Sequence, residues 1–264
     1  MVSGKLTISE LFYSIQGEGP NAGKTSVFIR FPQCNLACGI GKYAEHATWS
    51  CDSWNIMSTS IEYSFPEIKD ILVDLGVWED ILKGNVMITF TGGEPLLYLK
   101  EMSNFLQFLA EEGRVDTTFN TFNKSIQYEI ETNGSIDLKG LPFFLTEHVD
   151  VNYLLKGANS INCSLKLSNS GLPVSKRSFK MIDLAKLTYY PNICFKFVVA
   201  SEGDIQEIYD LDLPEDVVIY LMPAGDTMDK LHKTSKLAWE TATKNRWRYS
   251  DRLHIRIYND LPGV

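Results

Sequence analysis

The stretch Val86-Met-Ile-Thr-Phe-Thr-Gly-Gly-Glu-Pro95 decides the fold. Val86–Phe90 is a short apolar run of strand length, and Thr91-Gly-Gly-Glu-Pro95 reads as a tight turn behind it. Beyond the turn, Met102, Phe105, Leu106 and Leu109 recur at helical spacing until Gly113. A buried strand, a glycine turn and an amphipathic helix make one strand–helix unit of a parallel sheet.

The same alternation recurs along the chain. Val27–Phe31, Gln127–Glu131, Ile161–Leu165, Cys194–Val199, Val217–Leu221 and Leu253–Ile257 read as further strands. Helical periodicity marks Pro66–Leu75, with Pro66 in a first turn, and then Lys176–Lys186, Asp204–Tyr209 and Met228–Lys244. The stretch from Pro142 to Ser160 is irregular. These elements predict an α/β fold with a mainly parallel sheet, open or partly closed as a barrel. No linker divides residues 1–264, so a single domain is expected.

In such folds the ligand lies at the carboxyl ends of the strands. Special groups fall there repeatedly. Arg30 and a cysteine loop follow the first core strand, and Thr91-Gly-Gly-Glu-Pro95 follows Val86–Phe90. Glu131-Thr-Asn-Gly134, Ser164-Leu-Lys166 and Met222-Pro-Ala-Gly225 follow later strands. One shared site is the expectation.

The cysteine loop reads Cys34-Asn-Leu-Ala-Cys38, twelve residues, then Cys51-Asp-Ser53. Three thiolates in one loop can hold three irons of a cubic 4Fe-4S cluster, leaving the fourth iron open to a small molecule. Zinc competes, because His46 would complete a tetrahedral Cys3His site with Cys34, Cys38 and Cys51. Three uncoordinated thiols are the third reading. Location favours the cluster, since a structural staple has no reason to sit among the strand-end groups. Cys163 and Cys194 lie in apolar strands and read as core.

Gly92 and Gly93 can serve only the turn, or they can bring backbone close to a ligand whose amino group their carbonyls and Glu94 would meet. Gly17 and Gly19 imply a turn from which Gln16 and Glu18 project, an amide and a carboxylate suited to a guanidine-like heterocycle. Arg30 suits a substrate carboxylate, with a surface Arg–Glu pair as the plain alternative. Lys166 is a further cation at a strand end, and Ser53 offers a hydroxyl that magnesium could use.

Composition bounds the function classes. With a net charge of −8 and no basic cluster, nucleic-acid binding is not expected. No apolar run approaches the ~18 residues of a membrane span, and Met-Val-Ser-Gly-Lys-Leu lacks a signal-peptide layout. Five cysteines with no export signal fit a reducing cytoplasm rather than a disulfide framework.

Taken in order, Ser14-Ile-Gln-Gly-Glu-Gly19, Phe28-Ile-Arg30, Cys34-Asn-Leu-Ala-Cys38, Cys51-Asp52, Thr91-Gly-Gly-Glu-Pro95, Glu131-Thr-Asn-Gly134 and Ser164-Leu-Lys-Leu-Ser168 resemble 7-carboxy-7-deazaguanine synthases. Lys196-Phe-Val-Val199, Leu221-Met-Pro223 and the segment from Leu253 to Val264 extend the resemblance end to end. These are lyases of the radical S-adenosylmethionine superfamily. The resemblance implies a partial (β/α)6-type barrel, a 4Fe-4S cluster, S-adenosylmethionine and Mg2+. It implies that a 5′-deoxyadenosyl radical takes a hydrogen from 6-carboxy-5,6,7,8-tetrahydropterin, whose ring contracts with loss of ammonia, in 7-deazapurine (queuosine-type) biosynthesis. By position Cys34, Cys38 and Cys51 hold the cluster, and Ser53, where the family usually has threonine, serves magnesium. Gly93, Glu131, Thr132, Asn133, Ser164 and Lys166 contact S-adenosylmethionine. Gln16, Gly17, Glu18, Arg30, Thr91 and the terminal carboxylate of Val264 contact the pterin. No catalytic side chain is expected beyond the cofactor. A homodimer and an electron donor such as flavodoxin are also implied.

One departure stands out. The family commonly has two residues between its second and third cysteines, and this chain has Gly39 to Ser50, which moves the aromatic residue to Trp49. Extra loop length costs little in closure entropy, so the site need not be broken, and His46 is expected not to be a cluster ligand. The rival readings are another radical enzyme, such as a glycyl-radical activase, and a non-enzymatic zinc-stapled binding module.

Overall fold

The computed structural model describes residues 2–113, 126–138, 144–146, 149–150, 154–155, 157–186, 192–259 and 261. In chain order the strands are β1 (Lys5–Ile8), β2 (Glu10–Ile15), β3 (Thr25–Phe31), β4 (Ile61–Ser64), β5 (Met87–Gly92), β6 (Tyr128–Thr132), β7 (Phe144–Thr146), β8 (Val149–Asp150), β9 (Ser160–Cys163), β10 (Ile193–Val199), β11 (Val218–Pro223) and β12 (Arg248–Tyr249). The helices are α1 (Phe65–Asp74), α2 (Trp78–Leu82), α3 (Leu99–Glu112), α4 (Lys180–Ala185), α5 (Glu202–Tyr209), α6 (Met228–Asn245) and α7 (Leu253–Tyr258).

Eight strands form the central sheet in the order β12-β11-β10-β9-β6-β5-β3-β2. Every neighbouring pair is parallel except β2 with β3. The expected mainly parallel α/β sheet is therefore present. β1 pairs with β4 and β7 with β8 as separate antiparallel pairs, the second inside the stretch read as irregular.

Side chains alternate across a sheet, and here the alternation separates two chemistries. Val27, Ile29 and Phe31, Ile88 and Phe90, Ile130, Ile161, Phe195 and Phe197, and Leu221 share one face and are fully buried. They join one core with Ile68 and Leu72 of α1, Phe105 and Leu109 of α3, Ile205 and Ile208 of α5, and Ala238 and Ala242 of α6. Burying each large apolar side chain contributes about 1.5–3 kcal/mol, so this face holds the helices on. The other face carries Ser26, Thr89, Thr91, Glu129, Glu131, Asn162 and Lys196. It is the polar face that meets the site.

Local signals set the helix ends. α1 opens with a reciprocal cap, in which Glu67 N–H donates to Ser64 Oγ and Ser64 N–H donates to the Glu67 carboxylate, with Pro66 in the first turn. One expected element is corrected. Leu253–Ile257 alternates like a strand but forms α7, with Arg256 N–H donating to Arg252 C=O at 3.1 Å and Asn259 N–H to Ile255 C=O at 2.9 Å. Its Ile255 is buried while Ile257 is 71% exposed, so the alternation marks no buried sheet face.

The segment after β2 is bonded to the segment after β12, at the opposite edge of the sheet. Gly19 N–H donates to Ser250 Oγ at 2.8 Å and Leu253 N–H to Gly17 C=O at 3.1 Å.

Candidate active site

At the carboxyl ends of the parallel strands lies a cavity of about 640 Å³. It is lined by Cys34, Cys38, Cys51 and Ser53, by Gln16, Gly17, Glu18, Arg30 and Thr91, and by Gly93, Glu131, Thr132, Asn133, Ser164 and Lys166. These are all the described residues that the resemblance assigned to the cluster, magnesium, S-adenosylmethionine or the pterin, and they open on one space. Val264 lies outside the described residues. His46 is exposed and does not line the cavity, and Cys163 and Cys194 are buried away from it.

The cysteine loop leaves β3 and is tied to the next strand end through glycine. Gly93 N–H donates to Phe31 C=O at 2.9 Å and Glu94 N–H to Gln33 C=O at 2.7 Å. A Cβ at Gly93 would run into the Gln33 carbonyl and lie 2.8 Å from Cys34 N. The close approach that Gly93 permits is thus to the chain's own cysteine loop as well as to the cavity. Glu94 corrects a reading made above. It is fully buried, does not line the cavity, and accepts from Leu96 N–H, Thr132 Oγ and Asn133 N–H. Burial pushes its carboxyl above the ordinary value, and these donors offset that only in part. Glu94 shapes the Thr132–Asn133 turn instead of meeting a ligand.

The insertion Gly39–Ser50 does not separate the backbone of the second and third cysteines. Cys51 N–H donates to Cys38 C=O at 3.0 Å, so the extra residues leave and return at one point. They dock on the segment after β9. Gly39 N–H bonds Ser170 C=O and Thr48 N–H bonds Asn169 C=O, both at 2.9 Å, and Trp49 Nε1 donates to Asn169 Oδ1 at 3.0 Å. Trp49 lines the cavity with Lys166 Nζ 5.4 Å from its ring centre. Leu36, Cys38 and Leu172 form a small apolar cluster there.

Burial raises all three thiol pKa values, while Lys166 pulls each the other way. Among the described residues no three His, Cys, Asp or Glu side chains converge to hold a single metal ion. Cys34 and Cys51 are half-buried and Cys38 is buried, and three such thiols around one cavity suit a polynuclear cluster, which spreads its ligands further apart than one zinc does. His46 is exposed and lies outside the lining that the three thiols share. Ser53 Oγ accepts from Arg30 Nη1 at 2.8 Å and donates to Asp52 Oδ1 at 3.1 Å. It can give magnesium one oxygen, with the remaining ligands coming from substrate and water.

The floor is a charge network. Glu18 receives Lys196 Nζ on one oxygen at 2.5 Å and Arg252 Nε on the other at 2.8 Å, and Arg252 Nη2 also meets Asp52 at 2.5 Å. Burial alone would raise the Glu18 carboxyl, but Lys196 and Arg252 outweigh it and hold the group well below the usual carboxylate range. Burial also pushes the nearby His254 below its ordinary value against the pull of Glu18, which favours the neutral ring. Glu131 accepts from Thr91 Oγ at 2.7 Å and from Gln16 Nε2 at 3.2 Å. Beneath them Glu129 accepts from Gln16, from Asn21 at 2.7 Å, from Ser160 at 3.0 Å and from Thr89 at 3.2 Å. Burial and the Glu131 charge raise the Glu129 pKa.

Sequence reasoning missed Lys196, Arg252 and Glu129 as parts of this floor. A lysine inside the apolar run Cys194–Val199 was a signal for the first, and a glutamate inside a buried strand for the third. Arg252 had none, because 234 residues separate it from Glu18.

The depressed Glu18 pKa has a consequence for stability. Its contribution is present above the unfolded carboxylate pKa and is lost as pH falls toward the lower folded value. The stability gap between wild type and Glu18→Gln, read by urea denaturation, should be widest at pH 7 and narrow by pH 4. A gap that stays constant over this range would contradict the assignment.

Fold and site first define a class: a parallel α/β enzyme whose strand-end cavity joins three thiols to groups suited to a small charged molecule. The chain is 30% identical over 271 residues to the 7-carboxy-7-deazaguanine synthase of Halobacterium salinarum, covering 97% of this chain and 92% of that one. It is 31% identical over 261 residues to that of Thermoplasma acidophilum, covering 98% and 100%. The crystal structure of QueE from Escherichia coli is similar in fold, with a TM-score of 0.56 and 19% identity over 95% of each chain. No family model matches. On the full-length similarity to these relatives, the chain belongs to the 7-carboxy-7-deazaguanine synthase family and is an enzyme.

Proposed function

We propose that the enzyme converts 6-carboxy-5,6,7,8-tetrahydropterin to 7-carboxy-7-deazaguanine. The observation that carries this reading is the shared cavity, where the three cysteines, Arg30, the Gln16–Glu18 turn and the strand-end residues meet. Loss of ammonia alone relates substrate to product, so the conversion is redox-neutral overall. When bound on Cys34, Cys38 and Cys51, the cluster with S-adenosylmethionine would supply the carbon radical that starts it. The chain's own residues then have three tasks. Arg30, which lines the cavity and whose guanidinium donates to Glu10 through Nε and to Ser53 through Nη1, is suited to the substrate carboxylate. Gln16, Gly17, Glu18 and Thr91 line the floor that the heterocycle would meet. Gly93, Glu131, Thr132, Asn133, Ser164 and Lys166 line the same cavity as the thiols and would hold S-adenosylmethionine, with Trp49 offering an aromatic face. Ser53 would give magnesium its protein ligand.

Thr48, Trp49 and Ser50 of the insertion line the cavity beside Cys51, where they would help keep water from a reactive carbon centre. The finer reading of the fold is a partial (β/α)6-type barrel within one domain. Its support is the pair of hydrogen bonds that join the segments after β2 and β12. We also infer a cytoplasmic enzyme, a flavodoxin-type electron donor and a homodimer, from the family alone. Among the described residues no helix is long and apolar enough to cross a membrane. Anaerobic turnover with the pterin tests the reaction. Metal analysis tests the site, with roughly four irons and four sulfides expected per chain rather than one zinc.

A further inference from the structure

We propose that Asn162 reads the substrate heterocycle, its carboxamide giving one hydrogen bond and taking another. This rests on the functional reading above and assigns one more residue to that site. Asn162 sits on β9, paired in register with Glu131 on one side and Cys194 on the other, and it lines the cavity. It is 1% exposed, and both Nδ2 and Oδ1 lack any hydrogen-bond partner. The other buried side-chain atoms without partners among the described residues, Arg177 Nε and Asn192 Oδ1, belong to residues that do not line this cavity.

The neighbouring polar groups are already engaged. Gln16 Nε2 is bonded to Glu129 and Glu131, and Gln16 Oε1 takes Glu18 N–H at 3.1 Å. Glu18 is held on both oxygens. Among the described residues, Asn162 alone on this floor keeps a free donor and a free acceptor on one planar group. A fused pyrimidinone edge presents the complementary pair side by side. Gly19 fits the same picture, since a Cβ there would come within 2.5 Å of Asn162 Nδ2 and press the amide out of place. Leaving two buried polar atoms unpaired is costly, and a bound heterocycle would remove that cost.

The test uses Asn162→Leu, of similar volume without hydrogen bonding, and Asn162→Thr, which keeps a donor and an acceptor. The cluster-loaded proteins carrying S-adenosylmethionine are titrated anaerobically with 6-carboxytetrahydropterin by calorimetry, without reductant so that no turnover occurs. The leucine variant should bind the pterin at least tenfold more weakly, the threonine variant within a few-fold of wild type, with iron content and S-adenosylmethionine affinity unchanged in both. The ligand-free leucine variant should melt no lower than wild type, because it leaves nothing unpaired. If leucine impairs accumulation, Asn162→Ala carries the same binding expectation. Wild-type pterin affinity in the leucine or alanine variant overturns the assignment. So does an equal loss of S-adenosylmethionine affinity, which would indicate a packing role. A wild-type protein that binds S-adenosylmethionine but not the pterin would instead overturn the substrate reading on which the assignment stands.

Discussion

Cys51→Ala should reduce iron from roughly four per chain to below one, and product formation should fall to background. The expectation follows from the geometry of the loop. Cys51 is anchored to Cys38 through its own N–H, so the backbone of the variant keeps its path and only the sulfur is lost. Two thiols, Cys34 and Cys38, then remain around the cavity, and among the described residues no nearby His, Asp or Glu group is arranged to complete a metal site. His46→Ala is the matched control. Its side chain is exposed on the insertion and away from the cavity, so iron, sulfide and the visible absorbance should stay at wild-type levels. Iron lost in the His46 variant and retained in the Cys51 variant would reverse the ligand assignment.

The second large effect is expected at Gly93→Ala. The added Cβ meets the Gln33 carbonyl and the Cys34 nitrogen, which are backbone atoms of the cysteine loop and cannot swing aside as a side chain could. Relief requires the β5 turn and the loop to separate, at the expense of the Gly93–Phe31 and Glu94–Gln33 hydrogen bonds. Such overpacking costs about 1–3 kcal/mol, which lowers the melting temperature by several degrees in a chain of this size. Because Cys34 moves with the loop, iron loading should fall too. A variant with wild-type melting temperature and iron content would show that the contact is not held in solution.

Those two substitutions mark what the chain shows locally. Strand, turn and helix were legible wherever period and punctuation agreed, as in Val86–Pro95 and Pro66–Leu75, because the apolar face and the glycine both follow from contacts close in sequence. Leu253–Ile257 was misread for the opposite reason. Its alternation is genuine, but the sheet edge is already filled by β12, and the segment turns back as α7 to set Arg252 on Glu18. The site was legible as a set of strand ends, since parallel topology gathers them on one side whatever the loops between them do. Its internal bonding was not. Glu94 reads as a ligand group in a glycine turn, yet its partners are Thr132 and Asn133, and nothing near position 94 announces them. The same holds for Lys196 and Arg252, whose partner is Glu18, and for Glu129, which is held by Gln16, Asn21, Thr89 and Ser160. Trp49 lies between the two cases. Its displacement by the insertion was visible, and the hydrogen bond to the sequence-distant Asn169 that ties it back beside the cavity was not.

The most direct test is anaerobic turnover by the reconstituted protein. It is loaded with iron and sulfide and given S-adenosylmethionine, magnesium, a reductant and 6-carboxytetrahydropterin, and the products are read by mass spectrometry. Formation of 7-carboxy-7-deazaguanine with release of ammonia, and without net consumption of S-adenosylmethionine, is the predicted result. Accumulation of 5′-deoxyadenosine with no deazaguanine acid would contradict the substrate, and protein that binds zinc and forms neither product would contradict the cluster itself.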